Sequence, residues 1–298
     1  HFPFNPSTGS GQREKLEEFF PPDFIGEYTG QIRAWFYVLH VIATGLGLRD
    51  DGFNMLSKNV LVEGVILGTD GRKMSKNYNN YPDPKELIQK YGGDALRLYL
   101  LSSPVMNGED VLISEEHYRN QVKGVMLILW NVYNFFVTYT KLANWNCDLK
   151  TGALSILDRW ILSKLTQLVL TVNEGLEKYN TVASIRAIED FVVNDFSTWY
   201  IRRSRDRVGY FADKEDKNTA LSVIYGVLIT LSKLMAPITP FISEEIYRNL
   251  TGDLSVHLQN YPQGDKNLLS EDLVQDMNFV REIVEAGHAK RKKLEIKV

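Results

Sequence analysis

Residues 60–67 are apolar apart from Glu63 and Gly64, a run that predicts a strand. A turn, Gly68-Thr-Asp-Gly71, ends the run, and a polar loop follows. Pro82-Asp-Pro84 stops that loop and places Asp83 to cap a helix beginning near Lys85, with Leu87, Ile88, Tyr91, Ala95, Leu96, Leu98 and Tyr99 as its apolar positions. Upstream, a short strand-like Phe24-Ile25 passes through a polar turn into a helix with Ile32, Trp35, Phe36, Leu39, Val41 and Ile42 mostly on one face. Residues 1–18 mix Pro, Gly and charge and predict loop before a charged helical turn; Gly9-Ser-Gly11-Gln lacks the Gly-Lys-Ser/Thr ending of a phosphate loop.

Past Pro104 the period lengthens to that of helices. The 115–144 segment carries Val122, Val125, Met126, Leu129, Trp130, Val132, Tyr133, Phe136 and Val137; the 157–179 segment carries Trp160, Ile161, Leu165, Leu168, Val172, Leu176 and Tyr179. Further helices are predicted over 182–207, over 218–235 and after Pro240, with Ser243 or its neighbours as cap. Strand, helix, strand, loop and helix through residue 101 therefore give an α/β part, and five amphipathic helices give an all-α bundle. The expected domains are 1–104 and 105–298. A chain that begins at His1 and stops at Lys-Leu-Glu-Ile-Lys-Val298 reads as a piece of something longer.

Composition narrows the classes. The 34 Lys+Arg against 37 Asp+Glu leave a formal charge of −3, so a polyanion site must be a local cluster. The single cysteine, Cys147, excludes an internal disulfide framework and a cysteine-rich zinc site, and fits a reducing compartment. The sequence presents no signal peptide and no uninterrupted apolar stretch of spanning length, so no membrane partner is expected. The cationic clusters that stand out are Lys73 with Lys76 in the polar loop, Arg202, Arg203, Arg205 and Arg207 at one helix end, and Lys290-Arg-Lys-Lys293. The arginine cluster suits RNA phosphates, with salt bridges to Asp195, Asp206 or Asp213 as the alternative use; Trp199 and Tyr200 read either as bases' stacking partners or as core. Glu27, Gln31 and Arg33 gather where a helix begins beside a strand end, a usual ligand position in α/β folds.

Lys73-Met-Ser-Lys76 resembles the KMSKS signature of class I aminoacyl-tRNA synthetases, and Tyr91-Gly-Gly-Asp-Ala-Leu-Arg-Leu-Tyr99 resembles the YGADALRLY segment of the isoleucyl, valyl and leucyl subgroup. The stretch "PPDFIGEYTGQIRAWFYVLHVIATGL" is similar to one in the isoleucyl members, as are Trp199–Arg207, Asp158–Leu162 and Met235–Tyr247. Three positions depart from that pattern: Tyr28 and Ala34 stand where the family has glycine, and Gly30 where it has aspartate.

The resemblance implies a Rossmann-like catalytic domain followed by a helical anticodon-binding domain. It implies ATP with Mg²⁺ as cofactor, isoleucine and tRNA(Ile) as partners, a cytoplasmic location, a monomeric full-length enzyme and no protein-bound zinc or other metal in this part. Lys73 and Lys76 would stabilise the departing pyrophosphate, with Met74 and Ser75 shaping the loop that binds ATP. Glu27, Gln31 and Trp35 would lie near the aminoacyl-adenylate. The family's His-x-Gly-His quartet is not formed by His1, His40, His117, His257 or His288, so this chain alone is expected to be inactive in adenylate formation. Rival expectations are a valyl or leucyl counterpart and a noncatalytic tRNA-binding module.

Overall fold

Two short parallel ladders organise the first part of the chain. Strand β1 (Phe24–Tyr28) pairs in parallel with β2 (Asn59–Glu63), Phe24 opposite Asn59 and Tyr28 opposite Glu63, and between them runs helix α1 (Trp35–Gly45). Parallel neighbours need such a crossover. The apolar run does not continue as one strand: it breaks at Gly64, and β3 (Ile66–Leu67) pairs instead with β4 (Val111–Leu112). At the break Gly64 turns its amide to the Val105 carbonyl (2.8 Å), and a Cβ there would lie 1.8 Å from the Glu109 carbonyl oxygen, so this close approach requires glycine. The computed structural model describes residues 21–45, 57–147 and 152–296; the loop and charged turn expected over 1–18 lie outside them.

The chain forms two compact units, residues 1–82 with 103–114, and 83–102 with 115–298. The expected division at 104/105 thus differs from the observed one in both directions, for reasons that single bonds make plain. Segment 103–114 belongs to the sheet unit because Gly64 donates to the Val105 carbonyl (2.8 Å) and the Asp110 carboxylate accepts from the Val65 amide (2.8 Å). Helices α2 (Pro84–Tyr91) and α3 (Gly93–Ser102) belong to the helical unit. There Asp94 accepts from the Phe241 and Ile242 amides (3.2 and 2.7 Å), while Arg97 donates to the Ile238 and Pro237 carbonyls (2.9 and 2.7 Å). Asp83 caps α2 as expected, accepting from the Lys85 amide at 2.8 Å.

In the helical unit α4 (Glu115–Gln121) runs through a π-helical turn (Val122–Met126) into α5 (Leu127–Ala143). Then come α6 (Ile156–Glu177) and α7 (Thr181–Asp190), which continues through a π-helical stretch (Phe191–Ile201) into α8 (Arg202–Val208). The unit finishes with α9 (Lys214–Met235), α10 (Pro240–Thr251) and α11 (Glu271–Lys293). Helix α9 is the axis of the core: Leu221, Ile224, Val227, Leu228, Leu231 and Leu234 are fully buried. It is apolar and long enough to cross a membrane by composition, and most of it is buried against its neighbours, as a core helix is. Helix α11 was not among the predicted elements; only Val274 of it is buried, so its apolar periodicity is weak.

Candidate functional sites

The first site is built on the polar loop of the sheet unit. Gly71 donates to the Gly68 carbonyl (3.0 Å) and adopts φ 79°, a left-handed turn that suits glycine. The chain then returns along β3, with Lys73 bridged to Leu67. Ser75 starts a second turn: its hydroxyl accepts from the Asn77 amide (3.3 Å), and its carbonyl accepts from the Tyr78 and Asn79 amides (3.1 Å each). Lys73 and Lys76 are both exposed, while Met74 and Ser75 are half-buried and anchor the segment between them. The neighbouring cation is committed elsewhere, since Arg72 pairs with Asp70 (2.9 Å) and lies over the Tyr78 ring. The two lysines are exposed cations of the loop with no carboxylate partner among the described residues.

Lys73 Nζ stands 5.5 Å from the centroid of the Tyr28 ring, a cation–π approach that brings the loop to the carboxyl end of β1, beside Glu27. Glu27 is half-buried there. Gln31 is occupied: its Oε1 accepts from the Trp35 amide (3.2 Å), capping the start of α1. Trp35 is 44% exposed with its ring 5.5 Å from that of Phe36. Glu27 and Lys73 are therefore joined through Tyr28, whereas Gln31 and Trp35 are joined to each other.

Tyr28 also accounts for a second departure from the family pattern. A Cβ at Gly30 would lie 2.4 to 2.8 Å from Cε2, Cζ and Oη of the Tyr28 ring. The ring occupies the space that a side chain at position 30 would need, and Gly30 leaves that space to it.

The second site lies at the α8 end of the long helix. Arg202 and Arg205 are exposed, and neither has a carboxylate partner among the described residues. Arg203 lies with its Cζ 3.2 Å from the centre of the Trp199 ring; burial there, with the charges of Arg202 and Arg281 nearby, pushes its pKa below the usual arginine value. Such a cluster of like charges favours an anion.

Arg207 must be removed from the set. Its guanidinium forks onto Asp158 (2.8 Å from each nitrogen) and onto Asp216 (2.6 Å), so its charge is already neutralised by two carboxylates. Asp158 is fully buried, accepts also from the Tyr200 hydroxyl (2.6 Å) and the Ser155 hydroxyl (2.7 Å), and closes the capping box of α6. Burial alone would raise its pKa, but the hydrogen bonds of Arg207, Tyr200 and Ser155 outweigh it and hold the carboxyl below its ordinary value. Tyr200 is fully buried in this network, and Trp199 is 7% exposed, so both serve the core.

The aromatic surface lies elsewhere. Tyr210 and Phe211 sit in the turn closed by the Ala212 amide on the Gly209 carbonyl (3.3 Å), 88% and 97% exposed and packed edge to face. Sequence reasoning passed over them because two aromatics outside a periodic pattern carry no signal of their own. Lys290, Arg291, Lys292 and Lys293 form the last turn of α11, where cations complement the helix dipole. Among the described residues no group of three His, Cys, Asp or Glu side chains gathers to hold a metal ion.

With this geometry in place, residues 158–298 match the family described as the anticodon-binding domain of tRNA ligase, and residues 5–112 match tRNA synthetases class I (I, L, M and V). The chain thus carries a class I tRNA synthetase segment followed by an anticodon-binding segment. It is 41% identical over 302 residues to the isoleucine–tRNA ligase of Chlamydia trachomatis serovar D, covering all of this chain and 28% of that protein. The isoleucine–tRNA ligase of Protochlamydia amoebophila gives 41% over 309 residues, again all of this chain and 28% of the relative. Among solved structures, the ternary complex of the Agrobacterium radiobacter K84 LeuRS with tRNA and LeuAMS aligns with a TM-score of 0.64 at 21% identity, covering 85% of this chain and 31% of that one. At that identity the likeness is one of fold. The chain spans 28% of the length of the curated relatives it matches.

Proposed function

We propose that this chain is a segment of an isoleucine–tRNA ligase, in which the lysine loop promotes ATP-dependent activation of isoleucine and the helical unit holds tRNA(Ile). The observation that carries the reading is the presentation of Lys73 and Lys76 as exposed ammonium groups on a loop whose backbone is bonded to itself, beside the end of a parallel strand. In activation the isoleucine carboxylate attacks the α-phosphorus of ATP, the bond to the bridging oxygen breaks, and pyrophosphate leaves with growing negative charge. Lysines fixed before the reaction stabilise that charge more in the transition state than in the ground state. Mg²⁺ would arrive on the nucleotide, held by the oxygens of its phosphates.

The tRNA surface in this reading is Arg202, Arg203 and Arg205, with Tyr210 and Phe211 as exposed rings on which unpaired bases stack. The relatives' name and the tRNA in the LeuRS complex support it. The loop half is tested by ATP–pyrophosphate exchange in the full-length ligase: Lys73→Ala and Lys76→Ala should each lower kcat by roughly 10²-fold, in line with removal of a single transition-state charge donor. Both side chains are exposed, so unchanged thermal unfolding is expected in the same samples. Exchange at the unaltered rate in both variants would contradict the reading.

A further inference from the structure

We infer that Asn80 is the positioning residue of the lysine loop, a brace that fixes the limb carrying Lys73 against the turn carrying Lys76. In a loop whose other residues are exposed or half-buried, Asn80 is 5% exposed. Its side-chain oxygen accepts from the Ser75 amide (3.0 Å), at the start of the turn that bears Lys76. Its side-chain nitrogen donates to Asp70 Oδ1 (2.8 Å) and faces the carbonyls of Lys73 (3.3 Å) and Arg72 (3.5 Å). The Asn80 carbonyl in turn accepts from the Thr69 amide (2.7 Å) and hydroxyl (3.2 Å). One residue thus spans both limbs of the loop, and its amide orientation is fixed by the environment: three oxygens on one side, an N–H on the other.

The surroundings are cut to this side chain. A Cβ at Gly68 would lie 2.4 Å from both Asn80 Nδ2 and Asn80 O, so only glycine leaves room for the brace. Asn79 adopts φ 45°, the left-handed conformation that asparagine tolerates, immediately before Asn80 turns inward. Asp70, whose carboxyl is held below the usual range chiefly by the Asn80 hydrogen bond, supplies the acceptor and also pins Arg72. A carboxylate at position 80 would face that of Asp70, and an apolar group would leave the Ser75 amide and the Lys73 carbonyl without their partner. Loop preorganisation matters because displacement of a charge donor by about 1 Å costs on the order of 10²-fold in rate.

This inference rests on the reading of Lys73 and Lys76 as the cations that act on the nucleotide, so its test keeps the two apart. ATP–pyrophosphate exchange is measured in the full-length ligase carrying Asn80→Ala, Asn80→Asp, the exchanged pair Asn80→Asp/Asp70→Asn, and Lys73→Ala as reference, with hydrogen exchange of the Ser75 amide recorded on each. Asn80→Ala and Asn80→Asp should lower kcat by at least about 10-fold with KM for isoleucine unchanged; Asn80→Ala should also lose Ser75 amide protection, whereas the carboxylate of Asn80→Asp still accepts from that amide and disturbs the loop by facing Asp70 and the Lys73 carbonyl. The exchanged pair restores a donor opposite an acceptor and should recover much of the Asn80→Asp loss, which a merely misfolded loop would not do. A normal kcat in Asn80→Ala beside a disabled Lys73→Ala overturns the positioning role and leaves the functional reading intact. Full activity in both overturns both.

Discussion

At the scale of single residues, several side chains have been assigned to tasks that their types alone do not reveal. Arg207 looks like its neighbours in the sequence, yet it neutralises a fully buried carboxylate. Arg207→Ala leaves Asp158 charged and unpaired, and should cost about 3 to 5 kcal/mol of unfolding free energy, against about 0.5 kcal/mol or less for exposed Arg205→Ala. Urea unfolding followed by far-UV circular dichroism checks the contrast. The pH dependence has a definite sign: a carboxyl whose pKa is depressed in the folded state contributes stability above its unfolded value, near 4, and loses it as the pH falls through the folded value. The gap between the natural chain and Arg207→Ala should therefore narrow below about pH 4.

Position 30 is the other residue-scale case. Gly30→Asp alone should destabilise the sheet unit because its Cβ meets the Tyr28 ring, and Tyr28→Gly in the same chain should relieve it. Thermal unfolding of the two single variants and the double variant measures that coupling; additive effects would show the two departures to be independent.

At the scale of elements, much was legible in the sequence, and the exceptions are informative. Asp83 before Pro84 marked the start of α2, and the apolar period marked α6 and α9 within a few residues, because capping and burial act locally. The run over 60–67 reads locally as one strand because the partners met at its break, Val105 for the Gly64 amide and Asp110 for the Val65 amide, are distant in sequence. The compact units likewise divide otherwise than a cut at 104, through bonds that are distant in sequence. Asp94 and Arg97 tie α3 to the start of α10 through contacts more than a hundred residues apart in sequence, which no local pattern encodes. Thr239 makes no side-chain cap on α10, so Asp94 performs that task from another helix. Asp94→Ala should cost about 1 to 2 kcal/mol in urea unfolding, the usual worth of a lost cap. Of the candidate sites, Lys73 and Lys76 were legible as a motif, whereas Asn80, Tyr28 and the exposed Tyr210–Phe211 pair required the folded chain, because their importance lies in what surrounds them.

At the scale of the whole molecule, the proposed function divides between the units: phosphate chemistry in the sheet unit, RNA contact in the helical unit. With a formal charge of −3, the proposed RNA affinity has to rest on a local cationic cluster, and the proposal places it at α8. Each of Arg202 and Arg205 that contacts a phosphate should reduce the slope of log affinity against log salt by about 0.7 to 0.9 when replaced by Ala. The most direct measurement is a paired one on the full-length ligase: isoleucine-dependent ATP–pyrophosphate exchange and tRNA(Ile) binding in the same preparations of Lys73→Ala/Lys76→Ala and Arg202→Ala/Arg205→Ala. The lysine pair should lose exchange and keep tRNA binding, and the arginine pair should keep exchange and lose tRNA binding. Unchanged exchange in the lysine pair, or unchanged tRNA binding in the arginine pair, would contradict the assignment of that unit.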